Sequence, residues 1–232
     1  MDKSELVSNK EAISAETLTE LEEKKYQDIC EQFGFIRRVR GDGNCFYRAF
    51  CFSLVESLLH STSTIKRFQH TLLRTHKVLM TAGFDEYVLK KLSNNFNSVL
   101  EQLETDACEE TLLGLFNDQP TSDSMVQYLR LLTSAHLQSR ADFFQHFVEA
   151  PSLKFYCTQV VELMAMECNH VEILALSEEL DISLCIIAIE GSDEHLTYHT
   201  IPDGCQPSLY LLYKNFHYDI LYKHREEEPV LG

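Results

Sequence analysis

The last fifty residues follow a different period from everything before them, and this split constrains the fold more than any other feature. SLCIIAIE, HLTYHTIP, SLYLLYKN and HYDILYKH are short β-branched and aromatic runs, separated by GSDE, by DGCQP and by a bend at Asn215 and Phe216. That is the pattern of strands joined by turns. Upstream, apolar residues recur at helical spacing and predict helices over 17–33, 65–80, 84–104, 109–117, 123–138, 140–149 and 170–180. Gly34 is read as the stop of the first helix, and FIRRV after it as a short strand. Ser122 and Asp123 are read as caps of the helix that stacks Met125, Tyr128, Leu129, Leu132 and Ala135, a face expected to be plain core. Helices early and strands late indicate an α+β arrangement rather than repeating βαβ units.

With 232 residues, 44% of them hydrophobic, the chain is long enough for one sizeable core. The expected layout is a single domain over 17–224, with loosely held segments at 1–16 and 225–232. No apolar run approaches a membrane span, and MDKSELVSNKEAIS is too polar for a signal peptide. A monomer in the cytoplasm or nucleus is the resulting expectation. Eight scattered cysteines without a CxxC pair read as reduced thiols rather than a disulfide framework or a zinc site. Neither Cys168 with His170 nor His195 with His199 has metal-site spacing, so no metal is expected.

The net charge of −16 is unevenly placed: no Lys or Arg lies between Leu92 and Leu129, nor between Phe155 and Tyr213. Acidic stretches repel phosphate backbones and favour basic partners, which argues against nucleic acid. The plainer reading of each run is a solvated helix face.

One short stretch carries chemistry. RGDGNCFYRAF, Arg40 to Phe50, puts an Asp-Gly-Asn turn directly before a cysteine that opens an apolar helix. Either Cys45 is core filler, or it is a nucleophile at a helix N-terminus, where the dipole and a nearby imidazole favour thiolate. The turn, with Gly43 and Asn44, would then supply backbone N–H groups for an oxyanion, and Gly41 and Gly43 would let the backbone approach a substrate. Cys51, inside FCFSL, reads as an inert contrast. Among ten histidines, His217 differs in having Asp219 two residues on along a strand, hence on the same face. Nucleophile, base and orienting carboxylate would then be Cys45, His217 and Asp219; a surface His beside a solvated Asp is the alternative.

The paired blocks GDGNCFYRAF and HYDILY, together with FNDQPTSDSMVQYLRLLTS, ADFFQHF and LYLLYK, resemble the otubains among the OTU cysteine proteases, over nearly all of 35–223. The resemblance implies a papain-like fold, hydrolysis of isopeptide bonds in ubiquitin conjugates, and no cofactor. It makes Cys45 the nucleophile, His217 the general base and then acid, Asp219 the orienter, and Asp42 the motif aspartate counted with the site. The short otubain paralogue has Asn in place of Asp219, whereas the long one matches; Asp holds imidazolium more strongly, so activity without rearrangement is expected. Ubiquitin and polyubiquitin are the implied partners, with ubiquitin-conjugating enzymes a further one, since the long otubain inhibits them through an N-terminal arm. Glu104, Glu109 and Glu110 are candidate contacts to basic parts of ubiquitin. A ubiquitin-binding adaptor and a thiol hydrolase of another substrate are the rival readings.

Overall fold

The computed structural model describes residues 5–13, 20–59, 61–189 and 195–224. One six-stranded mixed sheet runs in the order β1-β2-β6-β5-β3-β4. Its strands are β1 (Glu11–Ala12), β2 (Phe33–Arg37), β3 (Leu184–Ala188), β4 (Thr197–Ile201), β5 (Leu209–Lys214) and β6 (His217–Lys223). All neighbouring pairs are antiparallel except β3 with β5. All four C-terminal runs are therefore strands, but the sheet is closed by β2 from near the start of the chain, and β6 lies between it and β5.

Strand residues alternate between two cores, as a period of two requires. Leu184 and Ile186 of β3, with Tyr218 and Ile220 of β6, face a large core built with α2 (Cys45–Leu58), α3 (Thr62–Thr81), α4 (Glu86–Thr105), α5 (Glu109–Asn117), α6 (Gln119–Ser139) and α9 (His170–Leu180). Cys185 and Ile187, with Leu221, face a smaller core under α1 (Glu20–Gln32). The sheet is thus covered on both faces, and α2 lies almost wholly inside: eleven consecutive residues from Cys45 to Val55 are buried. Truncating one of its phenylalanines, such as Phe50, costs about 3–5 kcal/mol by cavity formation.

Several boundaries differ from expectation for local reasons. Gly34 does not stop α1; the helix ends at Gln32, and Phe33 and Gly34 already belong to β2, which shifts register between Phe33 and Phe35. Residues 14–19, where the helix was expected to start, lie outside the described residues. α6 begins four residues early, because the Asp118 carboxylate accepts from the Thr121 N–H at 3.1 Å and Pro120 suits the first turn. The helix expected over 140–149 is only α7 (Ala141–Phe144) with a 3₁₀ turn at Gln145–Phe147. A short α8 (Leu153–Tyr156) and a π turn at Cys157–Val161 follow.

The start of the chain is also held more firmly than expected over 5–13. Leu6 and Val7 are buried, and both donate their N–H to Asn117 Oδ1, at 2.7 and 3.0 Å. The expected tail at 225–232 lies outside the described residues. Among the described residues no helix is long and apolar enough to cross a membrane.

Candidate active site

Cys45 opens α2 and is 7% exposed. Its surroundings are fixed by the turn before it. Asp42 accepts from the Asn44 N–H at 2.9 Å through one carboxylate oxygen and from the buried Arg48 at 2.6 Å through the other. Arg48 is held in turn by Ser122 and Asp123, the two residues expected to cap α6. Asp42 therefore braces the turn instead of facing the sulfur, and the Asn44 N–H is already occupied. Among the described residues, the backbone N–H groups of Gly43 and Cys45 have no recorded acceptor, which leaves them as the free donors beside the thiol.

Gly43 is required twice over. Its φ of 76° is in the left-handed region, and a Cβ there would lie 2.3 Å from the Ala165 carbonyl oxygen. Gly41 is not required in this way, since a Cβ would meet His217 Nδ1 at an ordinary 3.5 Å.

The chain around Ala165 closes the other side of the turn. Arg130 of α6, 1% exposed, donates to the carbonyls of Gly43, Met166 and Val161 and to Asn44 Oδ1, at 2.6–3.2 Å, and lies 4.4 Å from the Tyr47 ring centroid. Asn44 Oδ1 also accepts the Ala165 N–H at 2.9 Å. Burial pulls the Arg130 guanidinium below its ordinary pKa, a cost offset by these acceptors. The helix read as plain core thus carries the buried cation that ties the nucleophile turn to the 161–166 segment. The signal was present: Arg130 sits in YLRLLTS with leucines on both sides.

His217 opens β6, and its Nε2 lies 3.1 Å from Asp219 Oδ1. Its other nitrogen, Nδ1, lies on the side of the nucleophile turn, against Gly41. Asp219 and then Cys45 raise the imidazole to about 10, against the opposing effect of burial. Asp219 is itself fixed: Oδ1 accepts the Val39 N–H at 2.8 Å, and Oδ2 pairs with the half-exposed Arg38 at 3.2 Å. The two FIRRV arginines, Arg37 and Arg38, point to different tasks. Arg37, wholly buried, bonds Glu56, Glu109, the Tyr222 hydroxyl and the Ser8 carbonyl.

The structure thus assembles Cys45, His217 and Asp219. It gives the three acids other surroundings: Glu109 is committed to Arg37, which holds its carboxyl below the usual range; Glu104 pairs with Lys66 at 3.2 Å; Glu110 is exposed. Glu109 lines a cleft with Lys223, at the opposite end of β6 from His217, about 20 Å along the strand. Cys51 is fully buried and its thiol is pushed up by desolvation, as an inert core cysteine should be.

Comparison with known proteins gives the family and the fold. The family model for peptidase C65, otubain, matches residues 1–223. Ubiquitin thioesterase OTUB2 of Mus musculus is 47% identical over 201 residues, covering 86% of each chain, and ubiquitin thioesterase OTUB1 of Rattus norvegicus is 41% identical over 203 residues, covering 87% of this chain and 75% of its own. Among solved structures, the complex of ceOTUB1 with ubiquitin aldehyde and UBC13~Ub superposes with a TM-score of 0.88 at 26% identity, over 96% of this chain and 95% of that one. A thiol at the head of a buried helix, an imidazole on the neighbouring strand and a match over nearly the whole length lead to one assignment: the chain belongs to the otubain family, peptidase family C65.

Proposed function

We propose that this chain is a deubiquitinating cysteine protease that cleaves isopeptide bonds in ubiquitin chains or conjugates through a Cys45–His217–Asp219 triad. The observation that carries this reading is the placement of His217 between the nucleophile turn and Asp219: its Nε2 lies 3.1 Å from Asp219 Oδ1, and its Nδ1 faces Gly41 of the turn that leads into Cys45. The relatives are ubiquitin thioesterases by name, and the solved neighbour holds ubiquitin aldehyde.

Each residue has a distinct task. His217 holds the Cys45 proton, and the sulfur attacks the carbonyl carbon of the isopeptide. The developing oxyanion is met by the free N–H groups of Gly43 and Cys45 at the start of α2. His217 then gives its proton to the leaving lysine amine, and an acyl-enzyme remains. Water, deprotonated by the same imidazole, releases the ubiquitin carboxylate and restores the thiol. Asp219 holds the ring in one orientation throughout and stabilises its charged form.

Intact-mass spectrometry with ubiquitin bearing a C-terminal electrophile tests the reading. One ubiquitin should add to the protein and none to Cys45→Ser. A protein that binds ubiquitin but forms no adduct is an adaptor, and one that reacts with iodoacetamide alone acts on another substrate. Ubiquitin-conjugating enzymes are proposed partners because the neighbouring complex contains UBC13~Ub. Inhibition of a conjugation assay by Cys45→Ser would support that, and no inhibition would remove it.

A further inference from the structure

The β5–β6 hairpin has a two-residue loop, Asn215-Phe216, between the paired residues Lys214 and His217. Both loop residues have positive φ, 52° and 62°, as in the tight turns whose usual sequence is Asn-Gly. Asn215 suits its place. Phe216 does not: an aromatic residue with a Cβ is strained there. It is also 68% exposed, and among the described residues it has no recorded aromatic or cation partner. The chain thus holds a large apolar ring in a strained backbone, out in water, one residue before the catalytic base. Neither the fold nor the triad uses it.

Reaction geometry says what lies beside it. His217 must protonate the leaving amine, so that nitrogen comes within hydrogen-bond reach of the ring. The lysine side chain attached to the nitrogen therefore leaves the cleft along the His217 wall, whose lip is the 215–216 turn. A lysine in an isopeptide bond is uncharged at its tip and carries a four-carbon apolar stem, which packs well on an aromatic surface. We propose that Phe216 is a specificity-determining residue that contacts the aliphatic stem of the acceptor lysine and its flanking backbone. It favours lysine-linked substrates over those with a small leaving group. This rests on the deubiquitinase reading above.

The test compares two substrates with full-length protein: ubiquitin linked through its C-terminus to the lysine of a short peptide, and ubiquitin C-terminal ethyl ester, which has no stem to contact. The reported quantity is the ratio of their kcat/KM values. In Phe216→Gly the ratio should fall about 5–10-fold, a range set by the loss of one apolar contact, mostly through KM on the peptide conjugate. Tm should rise by about 2–4 °C as strain is released, and Phe216→Tyr should restore the ratio. Phe216→Ala, which removes the ring and keeps the strain, should lower the ratio alike without the gain in Tm, and it serves if the glycine variant fails to fold. An unchanged ratio, or equal losses on both substrates, would overturn the inference while leaving the protease assignment standing. If the wild type turns over neither substrate, the protease reading fails and the inference goes with it.

Discussion

The two walls of the site are built in opposite ways. On the nucleophile side, two buried guanidiniums, Arg48 and Arg130, bind the turn at Asp42, Gly43 and Asn44 from inside the protein. On the base side, His217 sits at the start of a strand beside a strained two-residue turn, and its orienter Asp219 is supported by one backbone N–H and an arginine that is half in solvent. The first wall is held by core packing and the second by a few polar contacts near water. Substitutions in the first should therefore cost stability and activity together, and substitutions in the second mainly activity.

The largest effect should come from the point where the walls meet: Cys45→Ser should abolish turnover with a near-native melting temperature. Gly43→Ala comes next, because both its φ and the Ala165 carbonyl forbid a methyl; soluble expression or Tm should collapse, while Gly41→Ala keeps both. Arg130→Met leaves several buried carbonyl oxygens without a donor and should cost at least about 3 kcal/mol in urea unfolding, with kcat falling alongside. A fully active, stable Arg130→Met would erase the contrast between the walls.

Across the cleft, Asp219→Ala should lower kcat/KM about 100-fold, within the range for losing control of a general base, and cost about 1–2 kcal/mol in urea unfolding, less than Arg130→Met, because the buried Val39 N–H loses its acceptor. The pH profile sharpens this. A base raised to about 10 keeps the ring charged through neutral pH, so kcat/KM should decline on an alkaline limb near pH 10. Asp219→Asn, which removes the larger of the raising effects, should move that limb to lower pH. The sign for stability is the same: the raised imidazole contributes fully below its unfolded value of about 6.5, and that contribution is lost as pH rises through about 10.

The smallest effect belongs to the acids. Glu109→Gln should change stability by less than about 1 kcal/mol, since Arg37 keeps Glu56 and Tyr222 and the lost carboxylate is half exposed. Its kcat/KM should not change; a rise in KM at low salt would instead return Glu109 to ubiquitin binding.

This comparison also shows what can be read from the chain before folding. The residues of the proposed triad were legible because each is marked locally: a thiol after a glycine turn, and a histidine with an aspartate two residues on along a strand. The late strands were legible because their period shows in any short window. The buttress was not, because Arg130 binds Gly43, 87 residues away in sequence, and no window contains both. The ion pairs of the acid run from Leu92 to Leu129 were hidden for the same reason. Its cations, Lys66, Arg37 and Arg48, lie outside the run and are brought to Glu104, Glu109 and Asp123 only by the fold. Docking of Leu6 and Val7 on Asn117 is likewise a contact between distant segments.

The strand order has a consequence for timing. Among the described strands β6 comes after the other five in sequence, yet its place is between β2 and β5, so this sheet stays open until β6 inserts. Pairings this distant in sequence are slow to form, and synthesis proceeds from the N-terminus. Until β6 inserts, Cys45 stands without His217 or Asp219. On the proposed triad, competence as a protease therefore arrives only with the completion of the sheet.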